Sequence, residues 1–191
     1  MDLIIGTWLL LMALPLMLLT AAVIKLTSRG PVIFRQKRVG RGGRIFTMYK
    51  FRSMQQGAEN IRPLVQDLNE KDGPVFKIRD DPRLTPTGRF VRRSSIDELP
   101  QLINVLRGEM SLVGPRPMLV DEARQDHRMA SLRTAVKPGL TCLWQISGRC
   151  ELSYEDWLRL DLYYLRNRGL LLDLMILVQT VPAVISGHGA Y

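Results

Sequence analysis

The densest run of chemistry-bearing residues is SSIDELPQLINVL, residues 94–106, where Asp97 and Glu98 stand side by side three residues after Ser94. With Ser95 as N-cap, Ser95 and Glu98 match a capping box. Pro100 argues against that register, because it would fall beyond the first turn, where its missing N–H is felt. A helix starting at Ile96 or Asp97 keeps Pro100 in the tolerated first turn. Both carboxylates then crown a helix N-terminus, where the dipole favours their ionised form and nearby phosphate. Adjacent side chains diverge, so divided labour suits the pair better than a shared proton. One carboxylate can be a nucleophile and the other a ligand to Mg²⁺, which takes one or two carboxylates together with substrate phosphates. Helix capping and catalysis both remain open from these residues alone.

The cations that could face such a pair are Lys50, Arg52, Arg92, Arg93, Arg116 and Arg149. Arg116 lies between prolines in Gly114-Pro115-Arg116-Pro117, a rigid support for a guanidinium that binds a pyrophosphate with two parallel donors. A solvated surface charge is the ordinary role of any one of them. Asp173, within LLLDLMIL, is costly to bury unless paired, and is either half of a structural pair or a site residue. Trp144, Trp157, Tyr163 and Tyr164 suit a core or an interface.

The elements that must hold these residues divide at Lys25. Between Asp2 and Lys25 lie 22 uncharged residues, a helix of roughly 33 Å, about the thickness of a bilayer core. Pro15 near its middle should break or kink it; two half-helices meeting there can enter and leave through one leaflet, and a spanning helix that tolerates its proline fits these residues equally. Residues 25–52 then carry nine Lys and Arg and no acid, equal to the whole excess of 27 basic over 18 acidic residues. A basic block beside an apolar segment suits anionic headgroups and phosphates better than nucleic acid, and sets the chain beyond Lys25 on the cytoplasmic side. Two cysteines and two histidines are too few for a disulfide framework or a zinc site.

Beyond the basic flank, residues 30–54 read as a hairpin around Gly40-Arg41-Gly42-Gly43. Residues 55–68 read as a polar helix, with breakers at Gly73-Pro74 and Asp81-Pro82. Helices are expected over 86–93, from about 96 with Leu99, Leu102, Ile103 and Leu106 on one face, over 120–130 and over 153–168. Residues 136–149 read as extended or turning. At sixteen residues, 170–185 is short for a span and reads as a buried or interfacial helix.

GPVIFRQKRVG, FTMYKFRSM, SSIDELPQLINVLRGEMSLVGPRP, VKPGLTCLWQISGR and LDLYYLRNRGLLLDLMILVQT, in this order, cover nearly the whole chain. Together they resemble the bacterial sugar transferases, the monotopic polyprenyl-phosphate phosphoglycosyl transferases. The resemblance implies an α+β fold: a mostly helical compact domain with a small β-hairpin over residues 27–191, behind a Pro-broken re-entrant membrane helix over 1–26. It implies transfer of a sugar 1-phosphate from a UDP-sugar to undecaprenyl phosphate with release of UMP, the first step in assembling a surface glycan such as an exopolysaccharide or O-antigen. By the same resemblance Asp97 is the nucleophile and Glu98 the Mg²⁺ ligand. Lys50, Arg92, Arg116, Arg149 and Asp173 line the site, and Pro15 is the membrane-helix break. The implied place is the cytoplasmic face of the bacterial inner membrane, in contact with membrane lipid, with no nucleic acid and with a homodimer compatible. The long stretch between Met54 and Arg92 and the wording GEMSLVGPRP look closest to hexose-transferring members, with glucose or galactose as the sugar.

Overall fold

The computed structural model describes residues 1–71, 73–187 and 189. The first helix, α1, spans Asp2–Thr27 with Pro15 inside it, so the two expected half-helices form one element. Gly6, Thr20 and Ile24 are buried along it. Ile5 and Leu10 pack against one part of the core and Met17 and Ala21 against another, while Leu3, Ile4, Trp8, Leu11, Met12, Leu18 and Leu19 face outwards.

Both ends of α1 are tied to the same body. At its start, Asp2 Oδ1 accepts from Ser111 Oγ at 3.0 Å and from the Leu112 N–H at 3.2 Å. At its end, Arg52 Nη2 donates to the Ser28 carbonyl and hydroxyl at 3.0 and 2.6 Å, and Thr87 Oγ1 donates to Thr27 Oγ1 at 3.0 Å. A helix whose two ends bond one globular unit lies along that unit and does not project from it.

The hairpin forms as the alternation and the glycines require. Strands β1 (Ile33–Val39) and β2 (Ile45–Phe51) pair antiparallel from Ile33↔Phe51 to Val39↔Ile45. The turn between them needs left-handed backbone at Gly42 and Gly43, with φ of 66° and 76°. After a turn-rich segment come α2 (Pro86–Arg93), capped by the Thr85 hydroxyl, and α3 (Gln101–Leu106). Strands β3 (Ser111–Val113) and β4 (Met118–Leu119) flank the Gly-Pro-Arg-Pro loop. Next are α4 (Val120–Gln125), α5 (His127–Arg133), β5 (Gly139–Thr141), α6 (Leu143–Ile146), α7 (Tyr154–Asn167) and α8 (Leu170–Ser186). β4 joins the hairpin in the order β2-β1-β4, and β3 pairs parallel with β5.

Mixed helix and small sheet, with one long apolar N-terminal helix, agrees with the expected class; three local expectations need correcting. Residues 55–68 are turns ending in a 3₁₀ segment, Arg62–Leu68, and not an α-helix. The helix expected over 120–130 breaks at Asp126, whose non-helical backbone ends α4 and whose carboxylate caps α5 at the Met129 N–H, 2.9 Å away. The segment 136–149 holds both β5 and α6.

The core lies under α1 and α3, where Leu102, Val105, Met110, Leu112, Val113, Tyr164 and Ile176 are buried together. A second cluster joins Trp144 and Trp157, with ring centroids 4.7 Å apart, to Val75 and Cys142. Beneath Trp157, Arg133 Nη2 meets Asp161 Oδ2 at 2.5 Å, both fully enclosed, and links α5 to α7. β3 and β5 come so close that any side chain on Gly139 would collide with the Gly114 backbone, which fixes the base of the Gly-Pro-Arg-Pro loop.

Candidate active site

Alternation along the hairpin turns one set of side chains to a cavity of about 430 Å³. Phe34, Gln36 and Arg38 of β1 and Met48 and Lys50 of β2 line it together, whereas Arg35 and Lys37 face solvent. The opposite walls come from residues 53–62 and 76–83, the turn bearing Asp97 and Glu98, the Gly-Pro-Arg-Pro loop, and the end of α6 with Arg149.

Asp97 and Glu98 sit in a single 3₁₀ turn, Ile96–Glu98, just ahead of α3. Ser95 makes no side-chain cap and takes left-handed backbone at φ 56°, and Pro100 precedes the first residue of α3. The capping box is therefore not formed, and the carboxylates face the cavity. Glu98 Oε1 accepts from Lys50 Nζ at 2.6 Å and Oε2 from Gln145 Nε2 at 3.3 Å. Asp97 is 6% exposed.

These surroundings drive the two carboxyls apart. Burial pushes Asp97 up to about 6; Glu98 beside it adds to the rise, and Lys50 and Arg92 offset part of it. Burial would raise Glu98 as well, but the Lys50 ammonium, through charge and hydrogen bond, outweighs it together with Lys77 and Arg116 and holds Glu98 below the usual carboxylate value. The expected influence of a helix dipole on Asp97 is thus overtaken by desolvation. One acid is held towards its charged form and the other is pushed towards its neutral form, a common division between a structural anion and a reacting group.

The remaining residues expected at the site separate cleanly. Arg92, Arg116 and Arg149 line the cavity with Lys50, Asp97 and Glu98. Arg149 is buried and, like Ser95, left-handed; its Nη1 donates to Ser95 Oγ at 3.4 Å and its Nε to the Gln145 carbonyl at 3.2 Å. Arg116 lies 5.4 Å over the Trp157 ring, with Nη1 3.9 Å from Glu122 Oε1. Asp173 is not among them. It lies outside the cavity wall and takes the Tyr164 hydroxyl at 2.9 Å, the structural pairing that its apolar surroundings demand. Pro15 lies in α1, away from the cavity.

Several cavity residues were not singled out from the sequence. Arg38 is buried, forks onto Gln36 Oε1 at 3.1 and 2.6 Å, and donates to the Pro117 carbonyl at 2.9 Å. Burial and the like charge of Arg116 bring it down to about 9. Glu122, also buried, lies within 4.0 Å of both guanidiniums. The period-2 spacing of Phe34, Gln36 and Arg38 is a signal that finds two of these; Gln145 and Glu122 carry none. Arg83, paired with Asp81 at 2.6 Å, and Arg62 flank the Phe76 ring at 5.2 and 4.8 Å and shape the far wall.

Among the described residues no three His, Cys, Asp or Glu side chains come together as a metal cage. The donors here are two adjacent carboxylates amid cations, which fits a Mg²⁺ whose coordination is completed by substrate phosphates and water.

The chain is similar to known proteins along its whole length. Residues 1–187 match the bacterial sugar transferase model. It is 48% identical to galactosyl transferase CpsE of Streptococcus agalactiae over 84% of this chain and 36% of that protein. It is 38% identical to exopolysaccharide production protein ExoY of Sinorhizobium fredii over 100% of this chain and 86% of ExoY. It is 40% identical to undecaprenyl-phosphate galactose phosphotransferase of Salmonella typhimurium, over 100% of this chain and 40% of that protein. The chain thus spans little more than a third of some relatives and most of others. With the carboxylate pair, the cation-lined cavity and the long apolar helix now in view, this chain belongs to the bacterial sugar transferase family.

Proposed function

We propose that the chain transfers a hexose 1-phosphate, of glucose or galactose type, from a UDP-sugar to undecaprenyl phosphate and releases UMP, initiating a cell-surface glycan. The observation that carries this reading is a buried Asp97 facing a cavity of cations beside a Glu98 already charged and held by Lys50 and Gln145. An Asp97 oxygen forms a bond to the β-phosphorus of the UDP-sugar. The bond from that phosphorus to the bridging oxygen breaks, and UMP leaves with the electron pair. A phosphate oxygen of the lipid then attacks the same phosphorus, restoring the Asp97 carboxylate and yielding a lipid-linked diphosphosugar. Because the intermediate is covalent, one cationic pocket serves two anionic substrates in turn. Mg²⁺ at Glu98 would supply neutralisation of diphosphate charge. Lys50, Arg92, Arg116 and Arg149 bind and orient the phosphates.

A panel of UDP-glucose, UDP-galactose and UDP-N-acetylgalactosamine tests the reading. UMP should appear from a hexose donor before any lipid is added, in an amount matching the enzyme. Absence of UMP from every donor, with or without lipid, refutes it.

Arg116 is held over the Trp157 ring and beside Glu122 at the cavity wall. Arg116→Lys keeps the charge but loses the planar fork and the stacking, so turnover should fall by roughly tenfold or more. Steady-state rates at saturating donor measure this, and equality with the wild type reduces Arg116 to a nonspecific charge.

We further infer that α1 is re-entrant, with the whole body on the cytoplasmic face of the inner membrane. The helix is long and apolar enough to cross a bilayer. In a crossing, the body that bonds both Asp2 and Ser28 would have to run alongside α1 through the hydrocarbon, where its polar and charged groups would be costly. A cysteine at Asp2 should react only with reagents that also reach Arg29→Cys; labelling of the two from opposite sides indicates a span.

A further inference from the structure

Among the described residues strand β2 is the edge of its sheet, so one side of its backbone has no strand partner there. A side chain meets it there. The Tyr49 N–H donates to Asn104 Oδ1 at 3.1 Å, and Asn104 Nδ2 donates to the Thr47 carbonyl at 2.8 Å. The second Nδ2 proton goes to Glu109 Oε2 at 2.6 Å. Asn104 is fully enclosed, with 0% exposure. One carboxamide offers β2 the donor and acceptor that a neighbouring strand would have offered.

Its place in the chain gives this contact a consequence at the cavity. Asn104 belongs to α3, which continues directly from the turn bearing Asp97 and Glu98. Tyr49 immediately precedes Lys50 in β2. The amide therefore joins, at one buried point, the helix behind the carboxylates and the strand that carries their ammonium partner. Lys50 Nζ on Glu98 Oε1 at 2.6 Å closes the circuit. Arg107 adds an outer tie from the end of α3 to the Tyr49 hydroxyl at 2.7 Å, but that pair is exposed and water can replace it. No water replaces the Asn104 bonds without opening the core. An apolar side chain of the same size fills the space and pairs with neither backbone group.

We propose that Asn104 is a positioning residue, setting the depth and register of Lys50 against Glu98. Its consequence for phosphate transfer rests on the function proposed above; the geometric claim does not.

The test uses the full chain in detergent micelles and follows acylation of Lys50 by a small amine-reactive ester, with exposed Lys25 as internal reference. Glu98→Gln, which removes the anion, calibrates a released Lys50. Asn104→Ala should raise Lys50 acylation several-fold towards that value and lower UMP release by roughly tenfold or more, as expected for a misplaced charged group. Met129→Ala, a truncation elsewhere in the core, should lower the melting temperature and leave Lys50 protected. A folded Asn104→Ala protein with Lys50 acylated at the wild-type rate overturns the proposal, as does equal release of Lys50 by Met129→Ala. Where Asn104→Ala does not fold, the pair Asn104→Asp and Glu109→Gln takes its place. It keeps an acceptor for the Tyr49 N–H, reverses the bond between 104 and 109, and turns the Thr47 bond into a repulsion between two oxygens. Lys50 acylation should still rise, and an unchanged rate again overturns the proposal. If Lys50 responds to Asn104 but the wild type releases no UMP from any UDP-sugar, the positioning role stands and the enzymatic reading fails.

Discussion

Asp97→Asn should abolish UMP release and at the same time make the protein more stable at neutral pH. The first effect follows from losing the nucleophile, since an amide of nearly the same size does not displace a phosphoanhydride. The mass increase of a hexose phosphate, expected on the wild-type protein after incubation with donor alone, should vanish with it. The second effect follows from burial. A carboxyl that titrates near 4 in the unfolded chain is pushed up to about 6 at position 97. Its favourable contribution to folding is complete below the unfolded value and is lost as pH rises to about 6. At pH 7 the ionised group therefore opposes folding, on the order of 1–3 kcal/mol. Asparagine stands in for the neutral form and removes that penalty. Thermal unfolding at pH 7 should show a higher midpoint for Asp97→Asn, with the advantage shrinking towards pH 4. Wild-type turnover should likewise fall on acidification through about 6, well above an ordinary carboxylate. An Asp97→Asn protein that is inactive but less stable at pH 7 contradicts the assigned burial cost.

Glu98→Gln should cost roughly a hundredfold or more in turnover and shift the acid limb of the remaining activity downwards. Glutamine retains size and one acceptor, but not the charge that would hold Mg²⁺ against a diphosphate. It also removes an anion whose presence helps to raise Asp97. The two readouts are independent: turnover reports the metal, and the pH dependence reports the neighbouring carboxyl. Chelation should silence the wild type, and excess Mg²⁺ should restore it. Because Glu98 is partly open to the cavity, with 27% of its side chain exposed, little change in melting temperature is expected. Near-full activity of Glu98→Gln in Mg²⁺ leaves Glu98 as no more than an anchor for Lys50.

How much the chain reveals before folding depends on the range of the interaction involved. The hairpin was legible because strand alternation and the Gly40–Gly43 turn are local, α7 because of its amphipathic pattern, and α8 because its apolar run persists through Asp173 and Pro182. Asp97 and Glu98 stood out through Pro100, although the structure answers the proline with a 3₁₀ turn and not with a longer helix. The parallel pairing of β3 with β5 was invisible, since three-residue strands 28 residues apart leave no periodic trace. The break at Asp126 is a capping choice that competes with an otherwise helical run. Arg38 was hidden by its company: nine basic residues in 28 positions read as one charged block, and only the pleat separates those facing the cavity from those facing water. Asp173 misled for the opposite reason. A lone acid in an apolar helix signals a partner, but not which one, and Tyr164 is nine residues away on the preceding helix.

The two anchored ends of α1 have a consequence for the order of events during synthesis. Asp2 emerges from the ribosome before its partners, Ser111 and Leu112, which come about 110 residues later. At roughly 5–20 residues per second, that is an interval on the order of 5–20 seconds. Throughout it, a 26-residue helix with Trp8, Leu11, Met12 and Leu18 on its outer surface has no finished body to lie on. Water is a poor place to wait with that surface, and other nascent chains are worse. On the re-entrant reading proposed above, lipid receives α1 before the fold that later claims it exists, and the body assembles against a helix already at the membrane.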